Sequence, residues 1–465
     1  GWTTCLLDVD TAFLYGDIDT ELWVVYPEGF PGFQDTLRQY ARVLKGQYGT
    51  KQAQRMWDKF RNKVLGDLEY KPTESDPALF YKITLNNGIQ LLTLIGAYVD
   101  DFHFVSQDPN ELERVLSTNN KQWNLKVKKE FSKLLGVKLH RTSSSTLLYD
   151  DTYFSEVALE LNLFDKFRYK STLPSHNTKY LPNTQYKSSR ELLELYQQLV
   201  GSLMWGVNTW RIDGTYIVNH LARFLANPSF EHLDAAIDVL YYFISTKQLG
   251  LLYTKCETAV TMPMRIECIT YSDADWDREF DHVSVSGHVM QICTPSERDA
   301  VQNSPSGVEP TLPKYNVISW FSRKQRDHVA MSSEDAETTA AVPSGHLIQW
   351  TRGLFDELHL ISKTSPERPW LLMLDNSTTV ANLHSGKISR KNMHNARHHA
   401  YIRNLAGLGL ILPWKVDTKL NKADPMTKVL PPKDHERHLL SVMGLYPNSE
   451  EQPDSVPFKK RRMSA

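Results

Sequence analysis

The sequence predicts an α/β (α+β) chain of more than one domain, with acidic residues gathered at strand ends. Three observations predict it. Short runs rich in Leu, Ile, Val, Phe and Tyr stop at or beside Asp8, Asp100, Asp273 and Asp375. Residues 192–204 and 233–244 place apolar side chains at helical spacing. The 465 residues, 41% hydrophobic and 23% charged, suffice for two or three domains with substantial cores, so disorder is not the default.

Residues 5–14 (CLLDVDTAFL) form an apolar strand that ends in Asp8, with Asp10 two residues on and Ala12, Phe13 and Leu14 following. Residues 90–98 and 102–105 read as two strands of a hairpin with Asp100 and Asp101 at its tip. Adjacent carboxylates repel unless a cation lies between them. Asp also favours turns, so the pair carries weight through its neighbour, the Asp8 strand end. Carboxylates so arranged can hold two Mg²⁺ ions for in-line phosphoryl transfer. By composition alone Phe13 suits a core and Gln52 a solvated helix face.

Gly, Pro, Ser and Asn punctuate residues 172–189, which read as a linker. A second acidic set follows. Residues 264–271 form a strand-like run ending at Asp273 and Asp275; residues 332–337 (SSEDAE) open a helix; residues 371–374 form a strand ending at Asp375; and Asp424 begins a final helix. Pro343 is predicted to interrupt the helix that carries Glu337. Residues 293–314, rich in Pro, Ser and Asn, read as a flexible insertion.

Four blocks occur together: DVDTAFLYGD (8–17), YPEGF (26–30), KGQYGTKQAQRMW (45–57) and YVDD (98–101). In this order they resemble the reverse transcriptases of copia-type (Ty/copia, Pseudoviridae) LTR retrotransposons. Further on, YSDADW (271–276), SVSG (284–287), ISWFSRKQ (318–325), Asp375-Asn376 and LNKADPMTK (420–428) resemble the RNase H domain of the same polyproteins. The resemblance implies an incomplete reverse transcriptase palm and thumb, followed by an RNase H-like domain with a central mixed sheet. It suggests a palm at 1–140, a thumb and connection at 141–262, the RNase H-like domain at 263–447 and a disordered basic tail at 448–465. Residues 131–139 resemble the strand that closes the palm, and residues 196–204 and 221–224 the thumb and connection helices.

Carried over residue by residue, the resemblance makes Asp8, Asp100 and Asp101 catalytic metal ligands of the palm. Asp273, Glu337, Asp375 and Asp424 are the catalytic metal ligands of the second site. Phe13 matches the aromatic gate under the sugar of an incoming nucleotide, Gln52 a nucleotide contact, and Lys126 the basic residue near the leaving pyrophosphate. Asp10 lies outside the ligand set. The implied cofactor is Mg²⁺, two ions per site, with Mn²⁺ as an alternative. The implied partners are an RNA template, a DNA primer, RNA–DNA hybrid and deoxynucleoside triphosphates. His103, Val127, Lys129 and Ala396 depart from the family pattern.

The chain opens with a palm strand already under way, so the expectation is a fragment of a longer polyprotein whose fingers, and capsid, protease and integrase regions, lie upstream. Polymerase activity is then impaired. A noncatalytic relic that binds nucleic acid is the alternative reading.

The formal net charge of −1 gives no bulk attraction to a polyanion, but basic residues cluster at 121–133 and 387–403. Cys5, Cys256, Cys268 and Cys293 form no close-spaced set, so they read as small apolar residues in a reducing compartment, without disulfide or zinc site. No stretch reads as a membrane span or a secretory signal, and the expected location is cytoplasmic, nuclear or both. Lys459-Lys460-Arg461-Arg462 is a candidate import signal in the tail.

Overall fold

Side-chain alternation builds the first part of the chain. The computed structural model describes residues 2–29, 39–119, 122–174, 178–255, 266–276, 282–305, 308, 310–326, 329–361, 368–385 and 390–445. Contacts divide the chain into two units, one of residues 1–131 together with the described residues 352–361, the other of the remaining described residues. Phe30, Lys121, Cys256, Met264, Lys387 and the basic tail lie outside the described residues. Among the described residues no helix is long and apolar enough to cross a membrane.

The first unit begins with β1 (Thr3–Val9), which buries Cys5, Leu7 and Val9 and turns Leu6 and Asp8 to the other face. A small ribbon, β2 (Trp23–Val25) with β3 (Tyr40–Arg42), precedes α1 (Ala53–Asp67). Then come β4 (Lys71–Pro72), β5 (Leu79–Asn86), β6 (Ile89–Tyr98), β7 (Asp101–Ser106), α2 (Glu111–Asn119) and β8 (Leu125–Lys128). The sheet runs β4-β5-β6-β7-β1-β8, with antiparallel neighbours. Its apolar face meets α1 in a core that includes Leu7, Phe102, Phe104, Trp57 and Val64. Burying each such side chain contributes about 1.5–3 kcal/mol. The core face leaves the acidic residues of β1 and β7 on the opposite side.

The second unit opens with a departure from expectation. Residues 131–139 are not one strand: Leu135 (φ 47°) and Gly136 (φ 85°) form a two-residue turn between β9 (Lys133–Leu134) and β10 (Val137–Arg141). Positive φ at both turn positions matches the twist of a hairpin, and glycine adopts it without strain. Next are β11 (Ser145–Tyr149), α3 (Tyr153–Glu160), α4 (Arg190–Thr209), α5 (Thr215–Leu221), α6 (Phe230–Ser245) and β12 (Leu249–Thr254). Ser189 caps α4 by accepting the Leu192 N–H, and Ser229 with His232 forms a capping box on α6. Leu199, Leu203 and Val207 of α4 share a core with Val239, Leu240 and Phe243 of α6.

Beyond them lie β13 (Glu267–Asp275), β14 (Val285–Cys293), α7 (Pro295–Gln302), β15 (Val317–Lys324), α8 (Ser333–Glu357), β16 (Trp370–Leu374), α9 (Ser377–Ser385), α10 (Ala396–Gly407), β17 (Ile411–Lys415), α11 (Pro432–Val442) and β18 (Met443–Leu445). One sheet runs β18-β12-β11-β10-β9. The other runs β15-β14-β13-β16-β17, antiparallel as far as β13 and parallel from β13 through β17. It is the central mixed sheet implied by the RNase H resemblance.

Three further expectations change. The insertion at 293–314 contains α7, started by a Thr294–Glu297 capping box with proline in its first turn. The helix bearing Glu337 runs through Pro343 without ending. Proline costs about 3 kcal/mol there, but Ala340, Ala341, Ser344 and Ile348 are all fully buried along that helix, and this packing offsets the lost backbone bond. Asp424 begins a short 3₁₀ turn, Asp424–Met426, and the last α-helix among the described residues is α11.

Candidate active sites

In the first unit Asp8 and Asp101 are direct cross-strand partners on β1 and β7, and Tyr98 pairs Asp101 across the hairpin. Asp100 lies in the turn, and its carbonyl accepts the Val9 N–H at 3.0 Å. The three acidic residues expected in the palm therefore lie at one sheet end, but their oxygens do not all come within 4.8 Å of one another. Burial, then the charges of Asp100 and Asp8, raises the Asp101 pKa, with Lys128 opposing.

The turn is strained. Val99 has φ 53°, a conformation that a β-branched residue rarely adopts. The fully buried Trp57 holds it there, its indole N–H donating to the Val99 carbonyl at 2.6 Å. Trp57 belongs to the KGQYGTKQAQRMW block, in which its type alone marks no role beyond core. A tryptophan on an apolar helix face reads as core until its N–H partner is seen.

After β1, Thr11 (φ 54°) turns the chain into a 3₁₀ turn, Ala12–Tyr15, that carries Phe13. Phe13 is half-buried, edge-on to Tyr48 with ring centroids 4.6 Å apart. A Cβ on Gly46 would lie 2.5 Å from the Phe13 carbonyl oxygen, so glycine there lets the two sequence blocks touch. Gln52 is half-buried at the N-cap of α1. Lys126 stands opposite Asp8 in the β1–β8 register, but its ammonium is hydrogen-bonded to Asp10, which raises its pKa. Asp10 also accepts from Asn124 Nδ2 at 3.0 Å. Its carboxylate is engaged with these two side chains beyond the end of the strand.

The second unit gathers its acidic residues more tightly. Asp273 projects from β13, Glu337 from the second turn of α8, and Asp375 follows the last residue of β16. The parallel pairing of β13 with β16 brings two strand ends together. One oxygen from each of the three carboxylates lies within 4.8 Å of the others, the only such group among the described residues. Asp273 and Glu337 are buried and Asp375 is half-buried. Asp424 is a buried neighbour, ion-paired with Lys428.

Burial pushes Asp273 up to about 7, with Asp424 and Asp375 adding to the shift and Lys428 opposing it. Burial, then Asp273 and Asp375, also raises Glu337 well above the usual carboxylate range. Among the described residues, the buried Glu337 Oε2 has no hydrogen-bond partner. An all-oxygen set of mutually repelling carboxylates with an unpartnered buried oxygen fits a hard divalent cation.

Two residues that residue type alone does not mark as functional hold Asp273. Asn421 Nδ2 donates to its Oδ1 at 3.3 Å and to the Ser272 carbonyl at 3.2 Å, and the Thr427 hydroxyl donates to its Oδ2 at 2.5 Å. Both belong to LNKADPMTK; polar residues bracketing Asp424 were the available signal. Ala396 opens α10, and His103 accepts or donates at Thr4 Oγ1 over 3.1 Å on the open face of the palm sheet.

Residues 1–175 match the family described as reverse transcriptase (RNA-dependent DNA polymerase). The transposon Ty5-1 protein of Saccharomyces cerevisiae is 31% identical over 249 residues, covering 53% of this chain and 78% of that protein. The chain belongs to the copia-type retrotransposon Pol family. Within this family, the retrovirus-related Pol polyprotein from transposon TNT 1-94 of Nicotiana tabacum is 27% identical over 454 residues, 95% of this chain and 31% of that protein. The corresponding polyprotein from transposon RE1 of Arabidopsis thaliana is 27% identical over 432 residues, 92% of this chain and 26% of that protein. The chain thus spans less than a third of the length of these two Pol relatives. Reverse transcriptase and RNase H families use divalent metals, and the second unit contains a carboxylate cluster of the matching kind.

Proposed function

We propose that the chain is the polymerase and hybrid-ribonuclease portion of a Pol polyprotein, with one phosphoryl-transfer site in each unit. The observation that carries this reading is the Asp273–Glu337–Asp375 cluster, whose oxygens converge within 4.8 Å in a largely buried setting. The palm reading is supported by the Asp8–Asp101 register and the adjoining Asp100. Its boundaries would be a palm at 1–140, a thumb and connection at 141–262 and an RNase H-like domain at 263–447.

Asp8, Asp100 and Asp101 would hold Mg²⁺ or Mn²⁺ in the palm, and Asp273, Glu337, Asp375 and Asp424 would hold it in the second site. Two bound cations would offset charge on the attacking and leaving oxygens of an in-line displacement. The residues of the chain provide position. Trp57 fixes the hairpin turn, Asn421 and Thr427 orient Asp273, and Phe13, on its short turn, would limit space at the sugar of a deoxynucleotide. In the palm the acceptor would be a primer 3′-hydroxyl templated by RNA; in the second unit, water attacking the RNA strand of a hybrid. The location would be cytoplasmic, nuclear or both.

Cleavage of the RNA strand in an RNA–DNA hybrid, with Mg²⁺, tests this. The wild-type chain should cleave, while Glu337→Gln should not. Asp375→Asn should abolish cleavage and spare templated extension, and Asp100→Asn should do the reverse. Hybrid binding without cleavage by the wild type would identify a noncatalytic relic instead.

A further inference from the structure

A lysine seldom enters a protein interior without a carboxylate partner, because its ammonium loses hydration there. Lys422 is 3% exposed, and among the described residues the partners of its ammonium are an amide and backbone carbonyls, not a carboxylate. Its ammonium donates instead to Gln291 Oε1 at 2.6 Å, to the Pro313 carbonyl, and toward the Ser441 carbonyl at 3.4 Å. It lies 5.4 Å from the centre of the Tyr271 ring. Gln291 is itself held, its Nε2 donating to the Tyr315 carbonyl at 2.6 Å. One ammonium therefore ties together β14, the segment entering β15, and the end of α11.

An apolar residue could fill that space without the desolvation cost, so the reason for a charge lies in what it holds. Lys422 follows Asn421, which donates to Asp273 Oδ1, and precedes Thr427, which donates to Asp273 Oδ2. Both oxygens of that carboxylate are thus gripped by one short turn anchored through Lys422.

We propose that Lys422 is a positioning residue of the acidic cluster: its buried ammonium fixes the turn at 421–428 so that Asn421 and Thr427 hold the Asp273 carboxylate toward Glu337 and Asp375. The inference rests on the cation-binding reading of that cluster. Lys422 acts through its neighbours and contacts no reacting group.

The test uses the whole chain carrying Asp100→Asn and Asp101→Asn in every variant, so that the palm carboxylates do not contribute, with Mn²⁺ as the titrant and backbone hydrogen exchange measured on metal-free protein. Lys422→Met keeps an unbranched side chain one atom shorter and removes the charge. Its Mn²⁺ affinity should fall about 10–100-fold, the range seen when a partner that orients a metal ligand is lost. Exchange at 421–428 and 272–274 should rise about tenfold while α4 and α6 stay unchanged. Thr427→Val should lose comparable affinity, and the double variant should lose no more than the worse single change, because both act through one carboxylate.

Unchanged affinity and exchange in Lys422→Met, or fully additive losses, would overturn the proposal. If Lys422→Met does not fold, Gln291→Leu removes one acceptor from the ammonium and the same two readouts decide. If this parent binds no Mn²⁺, or Asp375→Asn binds it equally well, the cation reading fails. Hydrogen exchange then decides the positioning role alone: a rise confined to the two segments supports it, and no rise overturns it.

Discussion

Gly287→Ala probes how the second site is assembled. Gly287 faces Asp273 across the β13–β14 pairing. A Cβ at this position would stand 2.7 Å from the Ala423 carbonyl oxygen, 2.8 Å from Met426 Cβ and 2.8 Å from Thr427 Cγ2. Carbon contacts are favourable at about 3.5–4.0 Å, so the turn at 421–428 must withdraw by roughly 1 Å. Backbone and Cβ atoms cannot rotate out of the way. Overpacking of this kind costs about 1–3 kcal/mol, and each kcal/mol lowers Tm by roughly 2–4 °C in a domain of this size. The same withdrawal would break the 2.5 Å bond from Thr427 to Asp273, and a displacement of about 1 Å can cost 100-fold in rate. Thermal denaturation and hybrid cleavage measure the two effects. A Gly287→Ala protein with wild-type cleavage and a Tm within about 1 °C of the parent would refute the reasoning.

Three other outcomes follow from the packing. Val99→Gly should stabilise the first unit by about 1 kcal/mol, since the αL penalty of about 1–2 kcal/mol exceeds the entropy cost of glycine; a fall in Tm would show that Val99 is not strained. Trp57→Phe should destabilise it by about 1–3 kcal/mol, because the Val99 carbonyl loses its donor and a gap opens in the aromatic core; urea denaturation checks this. Acid should remove the stability held by His438 and His288, whose pKa values burial lowers to about 4 and about 3 from 6.5, while Asp273 and Glu337, whose carboxyls burial raises, act in the opposite direction. Both histidines are held neutral when folded, so this stability is present above pH 6.5 and lost as pH falls toward the folded values. His438 alone accounts for up to about 3 kcal/mol, and a His438→Phe chain should show a shallower loss in denaturation between pH 6.5 and 4.

Much of the architecture was legible in the sequence because its signals are local. The β6–β7 hairpin follows from two apolar runs flanking a carboxylate turn, and α4 and α6 follow from helical spacing. The capping box that starts α7 was equally local, in Thr294-Pro295-Ser296-Glu297, yet the Pro- and Ser-rich composition around it reads as loop. Pro343 misleads for the opposite reason: its propensity is local, while the burial that keeps α8 intact comes with residues distant in the chain, such as His288 against Ser344 and Met290 against Thr351.

Chemistry divides along the same line. The sequence by itself determined which residues could serve as acids, in what order they occur, and which family they belong to, because residue type and short-range spacing are properties of the chain. Only the tertiary structure decided that Asp273, Glu337 and Asp375 converge within 4.8 Å while Asp424 pairs with Lys428. It also decided that Lys126 is engaged by Asp10, and that Trp57, Thr427 and Lys422 hold the acidic strand ends in place. Those contacts join residues up to 154 positions apart, and their strength depends on burial and distance, which arise only when the sheets and helices pack.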